Sequence, residues 1–300
     1  MLEWSVIMSL EQYLELLKNK FKYNDDLLNV LRKIIPALIL YYGEDKKKLI
    51  LSAIEDTEIH IQSENEDMYD YLKKYFKVKK NWNIPLNGAS FFETEYTLSG
   101  KTLSSNSLIY FIQNHYGTYT PIDYSDNTFI INLIHELCHL VKTYGTIDLI
   151  DRRFQVKSGV LKEYYKYNVS NGLLVLYENE HLGLEEALNT IDEENIMNLV
   201  NLDYDKHSGY NEMANVLKRL LDNDEIKDIF KQSEFESDIW IDYFKEDSSK
   251  LSKLFDEWLI LIYTPIDIRI MDDKYQDKID TIKNKINNLI NKYNKSNLTI

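Results

Sequence analysis

One helix-length stretch, Phe129 to Val141, is apolar around most of its circumference, and it constrains the fold more than any other segment. Phe129, Ile130, Ile131, Leu133, Ile134, Leu137, Cys138, Leu140 and Val141 are apolar. Asn132, His135, Glu136, His139 and Thr143 fall in one narrow polar stripe. A helix of this kind has to be buried, and the stripe has to line an internal cleft. The competing reading is the solvent face of an amphipathic helix that happens to carry two histidines. A random chain with this His and Glu content shows His-Glu-x-x-His about once in a hundred, so the pattern is moderately specific by itself.

The spacing carries chemistry. Residues four apart lie one above the other on a helix, so His135 and His139 can direct ring nitrogens at one ion about 2.0–2.1 Å away. Glu136 stands one position round the helix from the first histidine, where its carboxylate can take a proton from an activated water. The lone cysteine, Cys138, excludes a disulfide framework and cysteine-rich zinc patterns. It points away from the histidines and reads as packing.

A catalytic zinc takes three protein ligands and keeps one position open, so a third ligand has to come from elsewhere. The pattern with a Gly and a third His directly downstream is absent, because Lys142 and Gly145 occupy that stretch. Two sources remain. Asp148, in Gly145-Thr146-Ile147-Asp148, is similar to the Gly-Thr-x-Asp element of aspzincins, although Asp151-Arg152 follows where that family has Tyr-Gly. Glu185 and Glu186, in Gly183-Leu184-Glu185-Glu186-Ala187-Leu188, open a later helix, where acidic residues are also favoured by the helix dipole. Periodicity puts Glu185 nearer the apolar face than Glu186.

His-Glu-Leu-x-His followed by Gly-x-Leu-x-Glu-Ala-Leu resembles the gluzincins, the thermolysin-like clan of metallopeptidases. The likeness covers His135–His139 and Gly183–Thr190. It implies Glu186 as the third zinc ligand, Glu136 as general base, and peptide-bond hydrolysis. It also implies an α+β, mostly helical, zincin-like domain with a small mixed sheet and a helical C-terminal half. Two departures stand out: Glu185 replaces the usual Asn before the ligand, and Thr190 replaces the usual acidic residue four after it. The clan uses a Tyr or His to stabilise the oxyanion, and Tyr210 or His207 is the nearest candidate downstream.

The rest of the chain frames this site. Leu10, Tyr13, Leu14 and Leu17, and then Leu27, Leu28, Leu31, Ile34 and Ile35, fall at helical spacing. Lys48 to Gln62 favours short strands, and Tyr69 to Phe76 is helical. Turn residues cluster at Asn81 to Gly100, which suggests a division into an N-terminal helical and mixed region, 1–100, and a metallopeptidase domain, 101–300. Ser107 to Ile112 reads as a strand, expected to be the sheet edge along which an extended substrate lies. Asn171-Gly172 favours a tight hairpin between two strands. Helices follow at about 182–200, 209–222, 224–245 and 247–262. Tyr275, Ile279, Ile282, Ile286, Leu289 and Tyr293 form a seam, read as packing on the chain's own domain rather than a coiled-coil dimer.

A net charge of -14, dispersed along the chain, argues against nucleic acid as a partner. Ile34 to Tyr42 is too short to cross a bilayer, which needs about 20 residues, and Met1 to Leu10 lacks a basic signal region. The expectation is a cytoplasmic zinc-dependent endopeptidase acting on a protein or peptide. The alternatives are an inactive zincin-fold protein that binds a peptide or a metal, and a helical interaction protein.

Overall fold

The computed structural model describes residues 8–67, 70–71, 88–96, 102–111, 113–115, 118–148, 153–168, 173–202, 210–235 and 238–295. The protein is a mostly helical α+β chain with small sheets. It divides into two units, Met1–Val141 with Glu193–Asp205, and Lys142–Asp192 with Lys206–Ile300.

In the first unit, helix α1 (Leu10–Phe21) starts at a capping box in which Ser9 and Gln12 satisfy each other's backbone N–H. Helix α2 (Asp25–Tyr42) starts on the Asn24 side chain, which accepts from the Leu27 N–H. Pro36 removes one backbone donor inside α2. The helix continues because Ile34, Ile35, Ala37 and Leu38 around it are all buried. A single 3-10 turn leads into α3 (Lys47–Glu55). This helix corrects the strand expectation over residues 48–55, while the later part of the same stretch, Thr57–Ile61, is a strand. Ile50 and Ile54, one turn apart, are buried together, and that packing decides between two conformations that a short apolar run allows.

Strand β1 (Thr57–Ile61) pairs parallel with β3 (Thr102–Phe111), and β2 (Gly88–Tyr96) pairs antiparallel with the other side of β3. The order is therefore β1-β3-β2. The expected substrate-binding edge at Ser107–Ile112 is overturned, because β3 is the interior strand and both its flanks are already hydrogen-bonded. Ile112 itself lies outside the described residues. The reason is visible in Leu108, Ile109, Tyr110 and Phe111, four consecutive residues at 2% exposure or less, which is the burial of a strand covered on both faces. Strand β2 also occupies part of the turn-rich stretch 81–100. Of the helical pattern at 69–76, only 70–71 falls within the described residues, and it is helical there. A two-residue pairing, β4 (Asn114–His115) with β5 (Thr118–Tyr119), precedes helix α4 (Asn127–Val141). All nine apolar residues of α4 are buried in one core with α1, α2 and α3.

The second unit contains a meander of β6 (Thr143–Asp148), β7 (Arg153–Ser158), β8 (Leu161–Asn168) and β9 (Leu173–Glu180), antiparallel throughout. The hairpin expected around Asn171-Gly172 is β8–β9, and its turn lies outside the described residues. Helix α5 (Leu182–Leu199) follows, with its first eleven residues in this unit and its remainder in the first. Next come α6 (Asn211–Leu221), α7 (Asp224–Phe235), α8 (Ile239–Phe244), α9 (Glu246–Tyr263), α10 (Ile266–Met271) and α11 (Tyr275–Lys295).

The single helix expected over 224–245 is two, α7 and α8. Ser233 Oγ accepts from the Trp240 N–H at 2.9 Å, and Lys157 Nζ, from β7, holds the Asp238 carboxylate at 3.2 Å, so side chains replace helix bonding at the break. Along α11, Ile279, Ile282, Ile286 and Ile290 are buried in the core of their own unit with Phe255, Trp258 and Leu217. No helix among the described residues is long and apolar enough to cross a membrane.

One polar network in the first unit holds a histidine toward its charged form. His60 Nε2 lies 2.7 Å from Glu66 Oε1 and its Nδ1 3.7 Å from Glu58 Oε1, while Tyr71 and Tyr110 donate to the same two carboxylates. Burial works against the charged ring, yet hydrogen bonds to Glu58 and Glu66 outweigh it and hold the His60 pKa above its ordinary value. The folded-state value lies above the unfolded one. The stabilisation is therefore complete below about pH 6.5 and is lost as pH rises through the folded-state value. The melting temperature should fall as pH is raised from about 6 to about 8, and the fall should be shallower in His60→Gln. An equal slope in the two proteins would sink this assignment.

Candidate metal centre

Helix α4 starts where the Asp126 carboxylate accepts from the Thr128 N–H at 2.9 Å, and its buried apolar faces leave the His135, Glu136 and His139 stripe half-buried. The two imidazoles lie edge to face one turn apart, ring centroids 4.9 Å from each other and planes at 81°. Glu186, on the second turn of α5, is also half-buried. One ligand atom from each of His135, His139 and Glu186 lies within 4.8 Å of the others, so the three could hold a metal ion. Glu136 is half-buried and one residue from His135, about 100° round α4.

The other third-ligand candidate on α5 is placed differently. Glu185 is fully buried, with Oε1 2.8 Å from Lys142 Nζ and Oε2 accepting from the Val160 N–H at 2.7 Å. Its nearness to the apolar face, legible in the sequence, takes it into the protein core and not into the histidine group. Asp148 ends β6, where its backbone pairs with Arg153.

Thr190, where the gluzincin pattern has an acidic residue, turns back on its own helix and donates to the Glu186 carbonyl at 2.8 Å. The carboxylate for the first histidine comes from Glu193 instead. Glu193 Oε2 is 2.9 Å from His135 Nδ1, and the side chain is 1% exposed. An Nδ1–H donated to this carboxylate fixes the tautomer and makes Nε2 the ligand-type nitrogen. Glu193 is not among the sequence-based candidates. The available signal was its spacing of seven from Glu186, two helical turns, which puts both carboxylates on one face of α5.

These residues suit a divalent cation. Two imidazoles and a carboxylate are the donors of an open zinc site. The other Glu193 oxygen, Oε1, is buried without a hydrogen-bond partner among the described residues, and a desolvated carboxylate of this kind favours positive charge beside it. Cys138 is fully buried in the α4 core. Tyr210, expected as an oxyanion donor, stands half-buried just before α6 with its hydroxyl against that of Tyr263. His207 lies outside the described residues.

No protein-family model matches this chain, and neither a curated protein nor a solved structure matches it.

Replacing Glu193 by Gln keeps the shape and removes the charge behind His135. Affinity for Zn2+, read by competition with a chromophoric chelator, should fall about tenfold or more. Wild-type affinity in Glu193→Gln would mean that this carboxylate does not prepare His135 for a metal.

Proposed function

We propose that the chain is a zinc-dependent peptidase of gluzincin type, with His135, His139 and Glu186 as metal ligands and Glu136 as general base. The observation that carries the reading is the convergence of the two histidines with Glu186, from 47 residues further along the chain, into one group of ligand atoms within 4.8 Å. The mixed nitrogen and carboxylate donor set favours zinc over magnesium or calcium, which take oxygen donors.

When bound, zinc supplies a Lewis acid that polarises a carbonyl and makes water acidic near neutral pH. The protein's own groups do the rest. Glu193 holds the His135 ring in the ligating tautomer. Glu136 accepts a proton from the attacking water and passes it to the leaving nitrogen, so one carboxylate serves both half-steps. The apolar residues of α4 around the stripe keep bulk water away and strengthen the local electrostatics. Tyr210 remains a proposed oxyanion donor on the strength of the family resemblance. A protein or peptide is the proposed substrate, and the net charge of -14 disfavours nucleic acid.

Metal content of the purified protein tests this directly. About one zinc per chain is expected in the wild type, and little in His139→Ala or Glu186→Gln. Glu136→Gln should keep its zinc and lose about 10²–10⁴-fold of the cleavage rate on a peptide library. Zinc retained in Glu186→Gln would remove that residue from the ligand set. A wild type that holds no zinc after reloading would end the peptidase reading.

A further inference from the structure

Four acidic residues of helix α5 fall in two pairs, and the second pair explains the first. Glu186 and Glu193 are seven apart and belong to the histidine group. Glu185 and Asp192 are also seven apart, about 100° round the same helix. This other pair converges on one ammonium. Lys142 Nζ is 2.8 Å from Glu185 Oε1 and 3.1 Å from Asp192 Oδ2, and the lysine side chain is 0% exposed. Glu234 of α7 stands behind it at 4.0 Å.

The surroundings are built to keep this geometry. Gly159, between β7 and β8, has a left-handed φ of +60°, and a Cβ there would sit 2.1 Å from Glu185 Oε2. Only glycine lets the turn close over the carboxylate, so that the Val160 N–H donates to it at 2.7 Å. The Lys142 carbonyl in turn accepts from the Gly159 N–H. Lys142 follows His139 by three residues, so the segment that supplies the two imidazoles also supplies the ammonium.

We propose that Lys142 is a positioning residue for the metal site: by binding Glu185 and Asp192 it sets the rotation of α5 about its axis, and hence the direction in which Glu186 and Glu193 point. The physical basis is the coupling of four residues on one rigid helix. Two buried carboxylates held by a buried ammonium leave α5 one rotational setting. Without that ammonium, Glu185 and Asp192 lose a charge partner, and any turn of the helix that relieves them carries Glu186 and Glu193 away from the imidazoles.

The inference rests on the metal-site reading above, and a double-mutant cycle separates the two. Zn2+ affinity is measured by chelator competition for the wild type, Lys142→Met, Glu186→Gln and the double variant. Lys142→Met should bind about tenfold more weakly than the wild type. In the Glu186→Gln background the same change should cost much less, since the ligand through which Lys142 chiefly acts is gone. Equal losses in both backgrounds would assign Lys142 a purely structural role and overturn the proposal, as would an unchanged affinity in the single variant. If Lys142→Met does not fold, Asp192→Asn, which removes one arm of the clamp, replaces it in the cycle. A several-fold loss that depends on Glu186 then supports the proposal, and wild-type affinity overturns it. A wild type that binds no zinc takes down both the metal reading and this inference.

Discussion

Helix α5 has to satisfy Glu185, Glu186, Asp192 and Glu193 at once, and the arrangement of the chain around it follows from how that is done. Placing several carboxylates in a low-dielectric interior is costly unless each meets a donor or a cation. One pair meets the Lys142 ammonium, the other meets the histidine group. Glu234 shows the same pressure from the other side. Burial above all, and then the neighbouring Asp192 charge, push its carboxyl well above the usual range against the pull of Lys142. The Lys142 ammonium lies nearer the two carboxylates of α5 than that of Glu234.

What could be read from the sequence divides along a physical line. The α4 motif, the capped N-terminal helices and the buried seam of α11 are local patterns, in which spacing alone selects the face that packs. Lys142 was not legible, and Glu193 only through its spacing from Glu186, because their partners lie about fifty positions away along the chain. The gluzincin pattern drew attention to position 190, one turn after Glu186. The chain instead places its carboxylate two turns after, at a position that a one-turn search does not reach.

The errors have a common form. Residues 48–55 and 107–111 are short apolar runs, for which periodicity gives no strong preference, and tertiary partners decided both. Ile50 and Ile54 took the first run into a helix, and a parallel neighbour, β1, placed the second in the middle of a sheet. The break between α7 and α8 is similar, because a side-chain acceptor, Ser233 Oγ, and the lysine Lys157 from a distant strand replace helical bonding over a stretch with good helical periodicity.

Helix α5 is held at three levels along its length. At its start, the Asp256 carboxylate accepts from the Gly183 N–H at 2.7 Å, and His181, in a left-handed conformation with φ 69°, bonds Ser252 through Nδ1. A Cβ on Gly183 would lie 2.3 Å from the Phe255 carbonyl, so the helix start sits hard against α9. In the middle, Lys142 binds one face. Near its end, Ile196 and Met197 are fully buried in the core that also holds α4. A helix fixed at its start, middle and end cannot adjust its remaining face to suit itself. Glu193 meets the His135 ring, and a Glu186 oxygen lies within 4.8 Å of a ring nitrogen of each imidazole, groups that are ligands rather than permanent cations. An acidic face beside two histidines is a setting that the charge of a bound divalent cation would suit.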